Sequence, residues 1–230
     1  MLSALAVGLA ASSALVIGAL IGAFWSPPKE LVASVMAFGA GALIVALAFD
    51  LFEKAFEEGG PWLAGGGLMA GAIVFVVADR LVQRRGGSSG FALLAGVTLD
   101  GVPENLALGV SLIGSSLTGV LSLLAAIFAS NLPEALGGTV SMRDRGRSKK
   151  FSIGVWTATG VLLAAAVVIG NVLLTGVPEE VLAVVEAFAG GAVLASTADT
   201  IMPQAYQEGG AYVALATAAG FLLTFIITQG

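Results

Sequence analysis

The sequence predicts an all-α membrane protein, with eight transmembrane helices in a 3+2+3 inverted-repeat arrangement forming one domain over residues 1–230. Three observations predict it. Hydrophobic residues make up 57% of the chain and charged residues only 11%, where a soluble domain carries about a quarter charged. Apolar blocks of roughly 20 residues, each able to cross ~30 Å of hydrocarbon, recur from end to end. A 26-residue segment then repeats at a shift of 150.

The expected spans run near Leu2–Phe24, Leu31–Phe56, Leu63–Ala78, Phe91–Ile113, Leu117–Met142, Phe151–Leu174, Val181–Tyr206 and Ala211–Thr228. Turn-forming residues separate them: Ser26-Pro27-Pro28, Gly59-Gly60-Pro61, the Gly86–Gly90 loop, Gly114–Ser116, Gly176-Val177-Pro178 and Gly209-Gly210. No polar stretch is long enough for a second domain. The first block lacks a basic leading region and is expected to be a span, not a cleaved signal. Gly18-x-x-x-Gly22 and Gly67-x-x-x-Gly71 have the spacing that lets helices pack closely in lipid.

With eight spans, the odd-numbered connections share one side with nine of the ten basic residues, and the other side keeps only Lys54. Basic residues stay cytoplasmic. Both termini are therefore expected outside, in a plasma or inner cell membrane. The run Arg143–Lys150 is expected to be a headgroup-facing loop that sets this orientation, not a nucleic-acid site.

The repeat aligns Val35, Ala37, Phe38, Gly41, Ala42, Ala48, Ala55, Glu58, Gly59 and Gly60 with the identical residues 150 positions later. Its two copies fall in spans 2 and 7, which cross in opposite directions. Spans 4 and 5 echo each other at a shift of 30, Pro103-Glu104 against Pro133-Glu134. Inverted repeats with interrupted helices near mid-bilayer are a common plan of secondary transporters.

A carboxylate at mid-bilayer costs at least ~2.5–3.5 kcal/mol, so it marks a functional path more often than not. Asp100 and Glu104 stand at i and i+4 on one face of span 4, with Asn105 beside them. Ser130 and Glu134 repeat that spacing in span 5, and Asn131 precedes Glu134 by three. Pro103 and Pro133 each leave a carbonyl without its helical donor, at Leu99 and Ala129. Two acid-bearing faces with spare carbonyls make an oxygen-rich cage for a hard cation. The bland alternative is a pair of protonated, hydrogen-bonded structural acids. Asp50 and Glu53 are expected to line the outer approach, Asp199 and Gln204 the inner one. Lys54 offers Asp50 a local ion pair at i+4. Asp79 and Glu186 are expected at the interface, and Asn171 in a helix–helix hydrogen bond.

The chain has no histidine and no cysteine. Thiolate metal sites and disulfides are excluded. An intramembrane aspartyl protease would need two facing aspartates, and only Asp100 is central, so no enzyme is expected.

These residues resemble the ZIP (Zrt- and Irt-like) family of metal transporters. Asp100-Gly101-Val102-Pro103-Glu104-Asn105 is similar to the family's His-Asn-x-Pro-Glu-Gly, and Ser130-Asn131-Leu132-Pro133-Glu134 to its second Pro-Glu motif. Asp199 through Tyr206 resembles its helix 7, with Pro203, Gln204 and Ala205 in register. The chain departs from the family at its histidine, here Asp100, at the next asparagine, here Gly101, and at the helix 7 glutamate, here Gln204. Both bridging glutamates are kept. The resemblance implies transport of divalent metal cations, as substrate and not as cofactor, into the cytoplasm. Asp100, Glu104, Ser130, Asn131, Glu134 and Gln204 would be the metal ligands. The expected partners are the lipid bilayer and divalent metal ions, and a homodimer is compatible. Two other readings stay open: the same scaffold carrying protons or another non-transition-metal ion, and a relic that no longer transports.

Overall fold

Proline and glycine set the ends of the helices. The structure, a computed structural model, describes residues 1–84 and 90–229, without the side chains of 90–97. Every regular element among them is helical: α1 (Leu2–Phe24), α2 (Lys29–Val45), α3 (Lys54–Arg84), α4 (Gly90–Gly114), α5 (Leu117–Asp144), α6 (Lys149–Leu174), α7 (Glu179–Ser196), α8 (Met202–Gly209) and α9 (Tyr212–Gln229). Two π-helical segments, Ala46–Glu53 and Thr197–Ile201, join α2 to α3 and α7 to α8.

Pro28 and Pro178 precede the first residues of α2 and α7, where a missing N–H costs nothing. Ser116 and Ser148 cap α5 and α6 by accepting from the N–H of Gly119 and Phe151. Gly60 (φ 72°, ψ 175°) breaks α3 before Pro61, and Gly210 (φ 63°, ψ −148°) separates α8 from α9. Side chains other than hydrogen are essentially excluded from that backbone region. The expected breaks fall where these residues stand, while residues 86–89 of the expected Gly86–Gly90 loop lie outside the described residues.

Six helical stretches among the described residues are long and apolar enough to cross a membrane: 2–24, 29–84, 117–144, 149–174, 179–209 and 212–229. The second has 56 residues, roughly 84 Å at 1.5 Å per residue and nearly three hydrocarbon thicknesses, and Gly60 divides it. The chain is thus an all-helical protein with the elements of a membrane-embedded one.

Glycine decides how the helices meet. A Cβ on Gly41 of α2 would collide with the Thr217 carbonyl of α9, and one on Gly220 of α9 with that of Phe38. The same reciprocal contact, 150 residues on, joins Gly191 of α7 to Leu68 of α3 and Gly71 of α3 to Phe188. The α2–α9 and α3–α7 interfaces are thus close backbone contacts of the same kind. Gly18 and Gly22 seat α1 on the α5 backbone at Leu132 and Leu136, and Gly109 and Gly170 lock α4 to α6. Both GxxxG motifs serve as helix-packing surfaces, since Gly67 and Gly71 rest on α7.

The repeat extends to features that the sequence alone did not suggest. Pro28 and Pro178 cap at a shift of 150, Gly60 and Gly210 take positive φ at the same shift, and the two π segments overlap under it. The interruptions within spans 2 and 7 take the form of these π segments. At the second π segment, Pro203 cannot donate to the Asp199 carbonyl, and the Met202 N–H bonds Thr197 O, five residues back.

Candidate cation site between α4 and α5

The site is built on the helices that carry the two Pro-Glu pairs, α4 and α5, closed behind by α7. Helix continues through Pro103 and Pro133. Asp100, Glu104 and Asn105 project from α4 into the interior, each less than a tenth exposed, with Asn105 fully buried. From α5 come Ser130 and Asn131, both buried, and Glu134. Glu134 keeps part of its surface accessible although protein surrounds it, as a residue lining an internal crevice does. Asp100, Glu104 and Glu134 are near enough to repel one another.

Their hydrogen bonding is incomplete. Asp100 Oδ2 accepts from Ser196 Oγ of α7 at 2.5 Å, while Oδ1 has no partner among the described residues. Glu104 Oε1 likewise has none. Asn105 spends its amide N–H on the Gly101 carbonyl at 2.8 Å and leaves Oδ1 unpartnered. Asn131 Nδ2 is unpartnered as well. A buried polar atom without a partner costs about 1–3 kcal/mol. Three such oxygens on one helix, two of them on acids near Glu134 of α5, are a cost that a bound cation or protons would relieve. As arranged, however, no group of three acidic side chains among the described residues is close enough to hold a metal ion.

One of the spare carbonyls is not spare. Gly39 of α2 lies directly on Ala129, where a Cβ would come within 2.8 Å of its oxygen. The carbonyl freed by Pro133 is thus covered by a neighbouring backbone and does not face the site.

The approach residues divide. Asp50 is buried beside the start of α5, hydrogen-bonded to Ser122, which in turn meets Thr228 of α9 at 2.7 Å. The alternative local pairing with Lys54 does not form. Lys54 instead donates to Glu186 of α7 at 2.7 Å, with Glu58 at 3.9 Å. Glu186, expected at the interface, is fully buried, because this distant lysine neutralises it. Glu53, Asp199 and Gln204 are exposed and are not drawn into the central cluster. Asp199 faces Asp79 of α3 closely enough for like-charge repulsion, and Asp79 in turn is felt by Asp100. Asn171 donates to the Gly109 carbonyl at 3.3 Å, a helix–helix bond of the expected kind.

Ser196 was not singled out from the sequence, although it sits in the polar run Ser196-Thr197 inside an apolar helix. No protein-family model and no curated protein matches the chain.

Proposed function

We propose that this chain is a ZIP-like membrane transporter that carries a divalent cation across the bilayer through the carboxylate-lined space between α4 and α5. The observation that carries the reading is the set of unpartnered buried oxygens on Asp100, Glu104 and Asn105, with Asp100 and Glu104 close enough to Glu134 of the neighbouring helix to repel it. The eight spans would be 2–24, 29–59, 61–84, 90–114, 117–144, 149–174, 179–209 and 212–229, three and three around the central pair. The crossed glycine contacts of α2 with α9 and of α7 with α3 support an inverted repeat.

Asp100, Glu104 and Glu134 would bind the ion, with Asn105, Asn131 and Ser130 completing an oxygen shell. Ser196 would hold the Asp100 carboxylate in position. Gln204, exposed and apart, would serve the inner end with Asp199, and Asp50 with Glu53 the outer end. The ion is substrate, and no cofactor or enzymatic step is required. The protein would lie in the plasma or inner membrane with both termini outside, the side opposite Arg143, Arg147 and Lys149. Arg143 and Lys149 gather where α1 ends: Arg143 bonds the Gly22 carbonyl at 2.9 Å, and Lys149 lies 4.6 Å from the centre of the Phe24 ring.

A second reading, protons or a monovalent ion on the same scaffold, is favoured by the absence of a ready-made three-acid metal group among the described residues. Binding to purified protein separates the two. Mn²⁺ or Zn²⁺ should bind the native chain and fail to bind Glu104→Gln and Glu134→Gln variants that remain folded. Proton flux without divalent binding would select the second reading.

A further inference from the structure

The two ends of the bundle are not alike. In the first π segment Ala46, Leu47, Asp50 and Leu51 are buried, and only Ala48 and Glu53 are exposed. In the second, only Thr197 is buried, and Ala198, Asp199 and Thr200 are exposed in succession. Successive residues on a helix point in widely different directions, so this segment is uncovered over much of its circumference, aspartate included. Thr200 is the repeat counterpart of Asp50. The first segment is thus more covered than its counterpart.

What differs chemically is Lys54. It is the first residue after the buried π segment, and its ammonium donates to Glu186 of α7 at 2.7 Å. It also lies against the last residue of α4, 3.8 Å from where a Gly114 Cβ would stand, where a helix C-terminus attracts positive charge. The counterparts of Lys54 and Glu186 are Gln204, exposed, and Met36, buried in an apolar cluster. Among the described residues no equivalent pair stands at the less covered segment. The pair is not saturated either: Glu186 Oε2 and Glu58 Oε2 are buried without partners among the described residues. Of the two acids near Lys54, Glu58 lies within α3 itself, so the contact with Glu186 is the charged bond that joins separate elements.

The geometry points to Lys54 and Glu186 as a latch: their ion pair ties α7 and the end of α4 to the start of α3, and holds the Asp50 end of the bundle closed. This rests on the reading of α4 and α5 as walls of a path reached from both ends, but its test needs no transported ion. The chain has no cysteine, so single reporters are unambiguous. Ser122→Cys places a thiol beside Asp50 at a fully buried position. It should react slowly with a charged, water-soluble methanethiosulfonate in proteoliposomes. Lys54→Gln or Glu186→Gln should speed that reaction by about tenfold or more, whereas Lys54→Arg, which keeps the charge, should leave it slow. Glu186→Gln retains an acceptor for Lys54, so folding is expected to survive. A second reporter, Thr200→Cys, should react readily in the native background and slow in the same two variants, because opening one end closes the other. Unchanged Ser122→Cys rates would overturn the latch. So would a Thr200→Cys thiol that is unreactive from the outset or fails to slow, since a merely structural pair would loosen one end alone. Failure of cation binding with these rate changes intact would overturn the transport reading and leave the latch standing.

Discussion

Glu104 illustrates why single residues carry this protein's chemistry. Its carboxyl is almost wholly enclosed, one oxygen has no protein partner, and its neighbours are two further acids. Such a group is tolerated where protons or a cation share the site. All donors in the cluster are oxygens or amides, because the chain has neither histidine nor cysteine. Oxygen ligands suit Mg²⁺, Ca²⁺ or Mn²⁺, while imidazole and thiolate favour Zn²⁺ and later metals. Competition binding should therefore show no selection of Zn²⁺ over Mn²⁺ beyond the ordinary solution trend, and a strong excess would contradict the oxygen shell. Ser196 supplies a hydrogen bond to the Asp100 carboxylate, worth about 1.5–3 kcal/mol for a charged acceptor. Ser196→Ala should weaken cation affinity by about tenfold to a hundredfold in a variant that remains folded, and an unchanged affinity would remove Ser196 from the site. Ligating carboxylates must be deprotonated, so protons compete with the metal. Titration calorimetry should show affinity falling as the medium is acidified. Affinity indifferent to pH between about 5 and 8 would exclude carboxylate ligation.

At the scale of elements, most of the fold was legible and some of it was not. Prolines and glycines announced the breaks at 27–28, 59–61, 176–178 and 209–210, since each acts through local backbone geometry. The π segments were not legible. A slip from i→i+4 to i→i+5 leaves no hydrophobic signature, and only the second has a proline that accounts for it. Glu186 was misread because its partner lies 132 residues away in the chain. The Asp50–Lys54 pair was misplaced for the same reason, as local spacing could not reveal the competing acid. The Glu104 and Glu134 faces were readable because i, i+4 spacing fixes a helix face whatever the neighbours do. The glycine contacts yield two predictions. Gly71→Val drives a side chain into the Phe188 carbonyl, whereas Gly66 has nothing within 4 Å of its Cβ position. Gly71→Val should cost about 1–3 kcal/mol or more and lower the melting temperature in detergent, with Gly66→Ala close to neutral. Equal stability of the two would contradict the α3–α7 packing. Gly60→Ala and Gly210→Ala each force a side chain into a positive-φ conformation and should each cost about 1–3 kcal/mol. Thermal unfolding of both variants checks this, and matching losses are expected if the two breaks are equivalent.

At the scale of the whole molecule, helices far apart in the chain meet in matched pairs, α2 on α9 and α3 on α7. Under the proposed transport reading, this pairing would let one central site communicate with either end of the protein. Its orientation can be tested directly. Ser148, at the start of α6, and Thr175, past its end, are both exposed. A single cysteine at Ser148 should react in intact cells only with membrane-permeant reagents, and one at Thr175 with impermeant reagents too. The reverse pattern would invert the topology. The central claim is that the Glu104–Glu134 space conducts a divalent cation. It is tested most directly by Mn²⁺ uptake into proteoliposomes containing the native chain, with folded Glu104→Gln and Glu134→Gln variants alongside. Saturable uptake is expected from the native protein, and none above the protein-free background from either variant. Equal uptake by all three, or none by the native chain, would contradict it.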